Sequence, residues 1–335
     1  MAMRVVRVAL TGMGGIGSRV AVALLERRVR FSQRFGVDVR LVGACGSASG
    51  IVREGGLTVA DLADRGTWEP GMVGTALLDR ADPDVVIDAG PNDYETGGPG
   101  LDHLEWATLR GVHVIMVSKS ALALHGERLL EAARDSGSRV HASGASSAAL
   151  PAVDFLRTNL AGAVVTRVEA TLTGTSSFVL DEVVRSGSTL DAAIAEATAR
   201  GIAEPDPAFD LDGRDTAAKL VVIAGMALGV WLPLDGIRRE SVRSVTDEQV
   251  LAWRDAGAKV ALVGVLDRTA AGYEASVEVR AYGPGHPYAA ARGSTKALMV
   301  TAEGFGEYTL VGGASTPEAT VAAVLKDVEH LLAEL

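Results

Sequence analysis

The stretch from 202 to 220, IAEPDPAFDLDGRDTAAKL, gathers Glu204, Asp206, Asp210, Asp212 and Asp215 around two prolines, a glycine and one lysine, Lys219. Carboxylates at that density can hold an ammonium and a hydroxyl while the lysine moves a proton. The plainer reading is a solvated acidic loop with helix caps and an ordinary ion pair. Gly12, Gly14 and Gly17 spell G-x-G-x-x-G between an apolar β-branched run and a helical spacing. In that order the backbone turns tightly and meets a pyrophosphate at a helix N-terminus, with Gly12, Gly14, Gly15, Ile16 and Gly17 lining the cofactor. A bare tight turn is the alternative. Lys119 comes two residues after the apolar run 112–117, where open α/β sheets keep their ligand crevice, although an ordinary surface lysine fits the position too.

The elements that must carry these groups follow from periodicity. Pro205 and Pro207 predict an extended, rigid loop, followed by a helix that starts near Asp212 or Gly213 and runs inward to Gly229. Asp215 and Lys219, four apart, share one face of it. Residues 5–10, 37–44, 85–89 and 112–117 read as strands with helices between them, which predicts a Rossmann-type, doubly wound parallel sheet. Residues 164–172, 259–266 and 273–281 alternate instead. They predict a second, α+β domain with a largely antiparallel sheet, buried on one face and covered there by helices. Ser188 with Asp191 approximates a capping box, and Thr316 and Pro317 cap a last helix through Val321, Val324, Leu325 and Val328.

The second strand ends in CGSASG with no acid to accept from a ribose 2'-hydroxyl. Ser47, Ser49 and Arg53 suit a 2'-phosphate instead, so NADP(H) is favoured over NAD(H) unless these residues form only a surface turn. At 335 residues the chain holds two domains. A net charge of -10 without a basic run argues against nucleic acid as a partner. Cys45 is the only cysteine, which excludes an intrachain disulfide, and the six histidines stand far apart, so no metal site is expected. The N-terminal apolar run is too short for a signal peptide or a membrane span, which places the protein in the cytoplasm with no membrane partner.

The acidic stretch also fills the pattern G-x-x-E-x-D-P-x-x-D-x-x-G-x-D-x-x-x-K with Gly201, Glu204, Asp206, Pro207, Asp210, Gly213, Asp215 and Lys219. It resembles the substrate loop of homoserine dehydrogenases, and the likeness continues through TGMGGIG, VSK, LPAVDFLR, LTGTSSFVL, HPYAAARG and the final helix. The resemblance implies hydride transfer between a nicotinamide cofactor and a small-molecule substrate, interconverting homoserine and aspartate semialdehyde. It implies that Lys119 and Lys219 handle the hydroxyl proton and that Glu204 holds the substrate ammonium. Asp210 and Asp215 then fix the reacting end and Lys219, with Gly174 and Thr175 beside the substrate and Ser118 and Lys119 beside the cofactor.

It also implies a dinucleotide-binding domain over 1–145, to which 312–335 returns, a substrate-binding and dimerisation domain over 146–311, and a homodimer. Departures from the family pattern cluster near the substrate: Ser118 for Asn, Thr173 for the Asn of Asn-Gly-Thr, Ile202 for Tyr, and Ser143 for a glutamate that helps bind sodium. The same chemistry on another small hydroxy or carbonyl compound is a second reading. A non-catalytic NADP-binding sensor is a third, against which both retained lysines argue.

Overall fold

A computed structural model describes residues 3–203 and 206–335. Among these residues the chain forms two compact units, one running to Ala148 and taking back Thr316–Leu335, the other Ala149–Ser315. No helix among them is long and apolar enough to cross a membrane.

In the first unit β1 (Arg4–Thr11) is buried along its whole second half, as a strand covered by helices on both faces must be. Parallel to it run β2 (Val37–Cys45) on one side and β5 (Val85–Asp88) on the other. Beyond β5 come β6 (His113–Met116) and β7 (Val140–His141), also parallel. The expected doubly wound sheet is present. Its far edge differs from the reading above, because β3 (Ser49–Val52) and β4 (Glu69–Pro70) add two short antiparallel strands outside β2. The chain leaves β1 for opposite sides at β2 and β5, so the carboxyl ends of β1 and β5 make a topological switch point. Thr11 and Asp88 stand there.

The last helix, Pro317–Glu334, starts where Thr316 accepts a hydrogen bond from the Ala319 N–H, with proline in its first turn. Val321, Val324, Leu325 and Val328 share a core with Val20, Leu24 and Phe31 of the helix Gly15–Phe35. Each such buried side chain contributes at most roughly 1.5–3 kcal/mol.

The second unit is built on a sheet ordered β13-β12-β8-β10-β11-β9. Its strands are β8 (Val165–Thr171), β9 (Arg238–Arg239), β10 (Lys259–Thr269), β11 (Gly272–Tyr282), β12 (Lys296–Ala302) and β13 (Gly306–Gly312). Every pairing is antiparallel except the short one between β9 and β11. One face carries the helices, packing Phe178, Leu180, Ala217 and Val221 against Val260, Leu262 and Val277.

The sheet is not buried on that face alone. Tyr282, Tyr288 and Ala291 cover the middle of the other side over Ala261, Val263 and Val265, and β10 is buried along most of its length. Glu169, on the face of the alternating 164–172 run that a sheet buried on one side alone would leave open, is 4% exposed there. It is satisfied by Arg167 (2.8 Å), Arg280 (2.7 Å) and the hydroxyl of Tyr282 (2.8 Å). Two local expectations also shift. Thr189, not Ser188, caps the helix Leu190–Ala199, and Ala208–Leu211 forms one helical turn after Pro207 where an extended loop was expected.

Burial pushes the Glu169 carboxyl up, but the Tyr282 hydroxyl and the two guanidiniums outweigh it and hold the group below its ordinary value. A carboxyl whose folded value is lowered stabilises the fold fully above its unfolded value of about 4.3 and loses that contribution as pH falls through the folded value. Glu169→Gln is therefore expected to cost about 1.5–3 kcal/mol at pH 7, and the gap to the unaltered protein should narrow below about pH 4. Urea unfolding at both pH values measures it, and equal stability at pH 7 would show that the network contributes nothing.

Candidate active site

The glycine turn sits at the switch point and its glycines have separate steric jobs. Gly12 has φ +89°, and a Cβ on it would lie 2.3 Å from the Ala89 carbonyl. A Cβ on Gly17 would lie 1.9 Å from the Gly12 carbonyl oxygen, so this residue lets the helix pack back on the turn. Around Gly14 there is open space. The Gly12 and Met13 N–H groups bond the Cys45 carbonyl, tying the turn to the end of β2. Gly14 caps the helix Gly15–Phe35 without any side-chain hydrogen bond, and no acid lies in its first turn. Uncapped N–H donors beside open space fit a dinucleotide pyrophosphate.

Ser47 lies exposed at the tip of the turn between β2 and β3. Arg53, read above as a possible phosphate partner, instead stands 3.6 Å from Asp61, whose carboxylate caps a neighbouring helix. Arg65 lies 3.9 Å over the Trp68 ring and reaches the Ser18 hydroxyl, on the helix that follows the glycine turn, at 3.4 Å.

Lys119 immediately precedes the helix Ser120–Ser136. The Asn92 side-chain oxygen accepts from the N–H groups of Lys119 (2.6 Å) and Ser120 (3.1 Å), pinning the turn that carries the lysine. Ser118 is buried, with its hydroxyl turned onto Asp88. Any contact Ser118 makes with cofactor therefore falls to its backbone.

In the second unit the helix Arg214–Leu228 starts after Gly213, whose φ of +73° suits only a residue without a Cβ, since one there would crowd Val277 and the Glu240 carbonyl. The helix is buried from Asp215 to Met226 except at Lys219. Lys219 Nζ lies 2.5 Å from Asp215 Oδ2 and donates to the Leu172 carbonyl oxygen at 3.0 Å, leaving its side chain 16% exposed. Asp215 Oδ2 also accepts from the Thr173 hydroxyl at 2.8 Å, and that hydroxyl meets Thr216 at 3.0 Å. The ammonium is thus aimed by two oxygens on a side chain that is not wholly buried.

Gly174 opens the helix Gly174–Ser186, where a Cβ would meet Ser315 at 2.6 Å. The Thr175 hydroxyl bonds the Ile202 carbonyl at 3.2 Å. Asp212 is used by the fold, accepting from Ser241 at 2.7 Å. Asp210 lies in the helical turn after Pro207, half-buried. Glu204 lies outside the described residues.

The family model for homoserine dehydrogenase matches residues 151–328, and that for the homoserine dehydrogenase NAD-binding domain matches 12–143. The chain belongs to the homoserine dehydrogenase family. This family consists of NAD(P)-dependent oxidoreductases, and the glycine turn fits their nicotinamide cofactor.

An NAD(+)-dependent homoserine dehydrogenase of Pseudomonas canavaninivorans is 29% identical over 97% of this chain and 96% of its own length. The homoserine dehydrogenase of Methanocaldococcus jannaschii is 25% identical over 96% and 97%. Among solved structures, a putative homoserine dehydrogenase from Archaeoglobus fulgidus shares the fold with a TM-score of 0.88 at 24% identity, covering 98% of this chain and 99% of that one. A hyperthermophilic archaeal homoserine dehydrogenase in complex with NADPH gives 0.83 at 22% identity, covering 99% and 98%.

Three features of this homoserine dehydrogenase family member escaped the sequence reading. Asn92, Asp88 and His103 converge on the Lys119 turn from distant segments, and only the acid ending the 85–88 strand was a visible signal. Thr173 was noted as a departure but not as a partner of Asp215. The histidines are also less scattered than their spacing suggested. Ligand atoms of His141, Asp327 and His330 lie within 4.8 Å of one another, although Lys326, 3.4 Å from Asp327, already supplies a positive charge there.

The glycine geometry separates two substitutions. Gly14→Ala is expected to fold with an unchanged melting temperature yet bind nicotinamide dinucleotides at least tenfold more weakly, about 1.4 kcal/mol. Gly17→Ala should lower the melting temperature itself. Thermal melts paired with cofactor titration check both, and a Gly14→Ala protein with full affinity would contradict the placement of the pyrophosphate.

Proposed function

We propose that the protein interconverts homoserine and aspartate semialdehyde, with NADP(H) preferred over NAD(H) and with Lys119 and Lys219 handling the hydroxyl proton. The observation that carries this reading is the Lys219 ammonium, aimed by Asp215 and the Leu172 carbonyl on an otherwise buried helix. A bound nicotinamide dinucleotide would supply the hydride in its reduced form for the reductive direction and accept it in its oxidised form for the oxidative one. In the reductive direction the Lys219 ammonium gives a proton to the oxygen that becomes the hydroxyl; in the oxidative direction the amine takes it back. Asp215 orients it and, with Thr173, keeps the carboxylate from turning away. Asp210 and Glu204 are assigned the hydroxyl and the substrate ammonium.

The cofactor preference rests on a turn, Gly46–Ser49, that carries no carboxylate, together with the Arg65 guanidinium beside the glycine-turn helix. Cation independence has its own support. Lys326 Nζ donates to the Ser143 hydroxyl at 2.6 Å, so an ammonium already stands where the family pattern puts a sodium-binding glutamate. Ile202, half-buried in place of a tyrosine, leaves the pocket wall more apolar and tolerant of analogues bulkier than homoserine.

Reduced-nicotinamide absorbance, followed while purified protein is offered homoserine, longer amino alcohols and hydroxy acids lacking the amino group, tests the reading. Homoserine-type amino alcohols are expected to turn over with NADP and with little response to sodium or potassium. Preference for substrates without an amino group would defeat the role of Glu204, and tighter binding of NAD in the same assay would defeat the cofactor assignment.

A further inference from the structure

At the switch point of the first unit, four polar side chains from separate elements close on one another away from water. Asp88, at the end of β5, is fully buried. Its Oδ1 accepts from His103 Nδ1 at 2.8 Å and from the Thr11 hydroxyl at 3.1 Å, and its Oδ2 accepts from the Ser118 hydroxyl. His103 is 4% exposed on the helix Pro99–Thr108. The packing is built around this arrangement, because a Cβ on Gly100 would lie 2.5 Å from Ser118 Oγ and 3.1 Å from Asp88 Oδ2.

A carboxylate only accepts, so three donors hold its orientation, and a buried network of this kind is costly unless fully satisfied. Nothing in the proton transfer assigned to the lysines uses it. What it touches is the residue before Lys119: Asp88 holds the Ser118 hydroxyl, while Asn92 takes the Lys119 and Ser120 N–H groups.

We propose that His103 and Asp88 are positioning residues for Lys119. The imidazole locks the carboxylate, the carboxylate locks Ser118, and Ser118 with Asn92 fixes the backbone from which the lysine reaches the reacting hydroxyl. This rests on the role given to Lys119 above. A small error in that backbone is enough to matter, because misplacing a reacting group by about 1 Å costs on the order of a hundredfold in rate. Asp88 and His103 also adjoin the glycine turn through Thr11, so cofactor affinity must be measured alongside turnover.

The imidazole's part is its Nδ1 donor, and that makes the test specific. His103→Asn keeps an amide nitrogen near the Nδ1 position; His103→Leu keeps the bulk and loses the donor. His103→Leu is expected to lower kcat on the order of ten- to hundredfold, with cofactor Kd and substrate KM changing less than about threefold. His103→Asn should stay within about threefold of the unaltered protein on all three. Asp88→Ala, which removes the carboxylate at the centre, should lower kcat at least as far as His103→Leu.

Each other result overturns the proposal. Unchanged kcat in His103→Leu removes the residue from positioning. Equal loss in His103→Asn and His103→Leu shows that the donor is not what matters. Losses of kcat and cofactor affinity in step with a falling melting temperature show a purely structural histidine. Lys119→Ala in the same assay separates the two claims: full turnover there defeats the role of Lys119 and this proposal with it, whereas an inactive Lys119→Ala beside a normal His103→Leu defeats this proposal alone.

Discussion

An ammonium on a buried helix has to be held by an acceptor, and here the acceptor lies one turn back. The 2.5 Å pair between Lys219 and Asp215 satisfies the lysine, fixes its direction and recruits Thr173 to the same carboxylate oxygen. Breaking such a pair by removing one partner costs about 3–5 kcal/mol, because the other charge is left buried alone. The surrounding structure follows from that constraint. Gly213 turns the chain sharply so that Asp215 falls in the first helical turn, where its charge suits the helix dipole. Leu172, at the end of β8, offers its carbonyl to the ammonium, and Thr173 begins the next helix beside it. The sheet behind them is stiffened on its other face by Glu169, Arg167, Arg280 and the two tyrosines.

The first unit answers a different constraint. A dinucleotide needs bare backbone at the meeting of β1, β5 and a helix start, and three glycines supply it in three ways: a left-handed turn at Gly12, open space at Gly14 and close helix packing at Gly17. Directly beside that turn, the Asp88 cluster and Asn92 hold the segment that bears Lys119. Cofactor turn and lysine turn therefore share one end of one sheet.

What was legible in the sequence was local. The glycine spacing, the Asp215 to Lys219 interval, the helix start at Gly213 and the Thr316 cap each depend on residues within a few positions, and strand and helix periods place them without tertiary knowledge. Other features depend on distant partners. Asp88 meets His103 and Ser118 only once three strands and a helix are assembled. Glu169 looked like the solvent face of an alternating strand, since nothing near it announces that Tyr282 and Tyr288 will cover it. β3, β4, β12 and β13 escaped notice because short or weakly alternating runs become strands only when a neighbour offers its edge. The turn at Ala208–Leu211 formed after Pro207 because proline is tolerated at a helix start, a rule that competes with its helix-breaking one.

The most direct test of the account is chemical rescue of Lys219→Ala. If the Lys219 ammonium moves the substrate proton, the variant should bind cofactor normally and turn over at least about a hundredfold more slowly. Small primary amines added to the assay should then restore part of the rate, in proportion to their concentration. Near-normal turnover in Lys219→Ala would contradict the account, and so would a deep loss that no added amine relieves while the variant remains folded and binds cofactor.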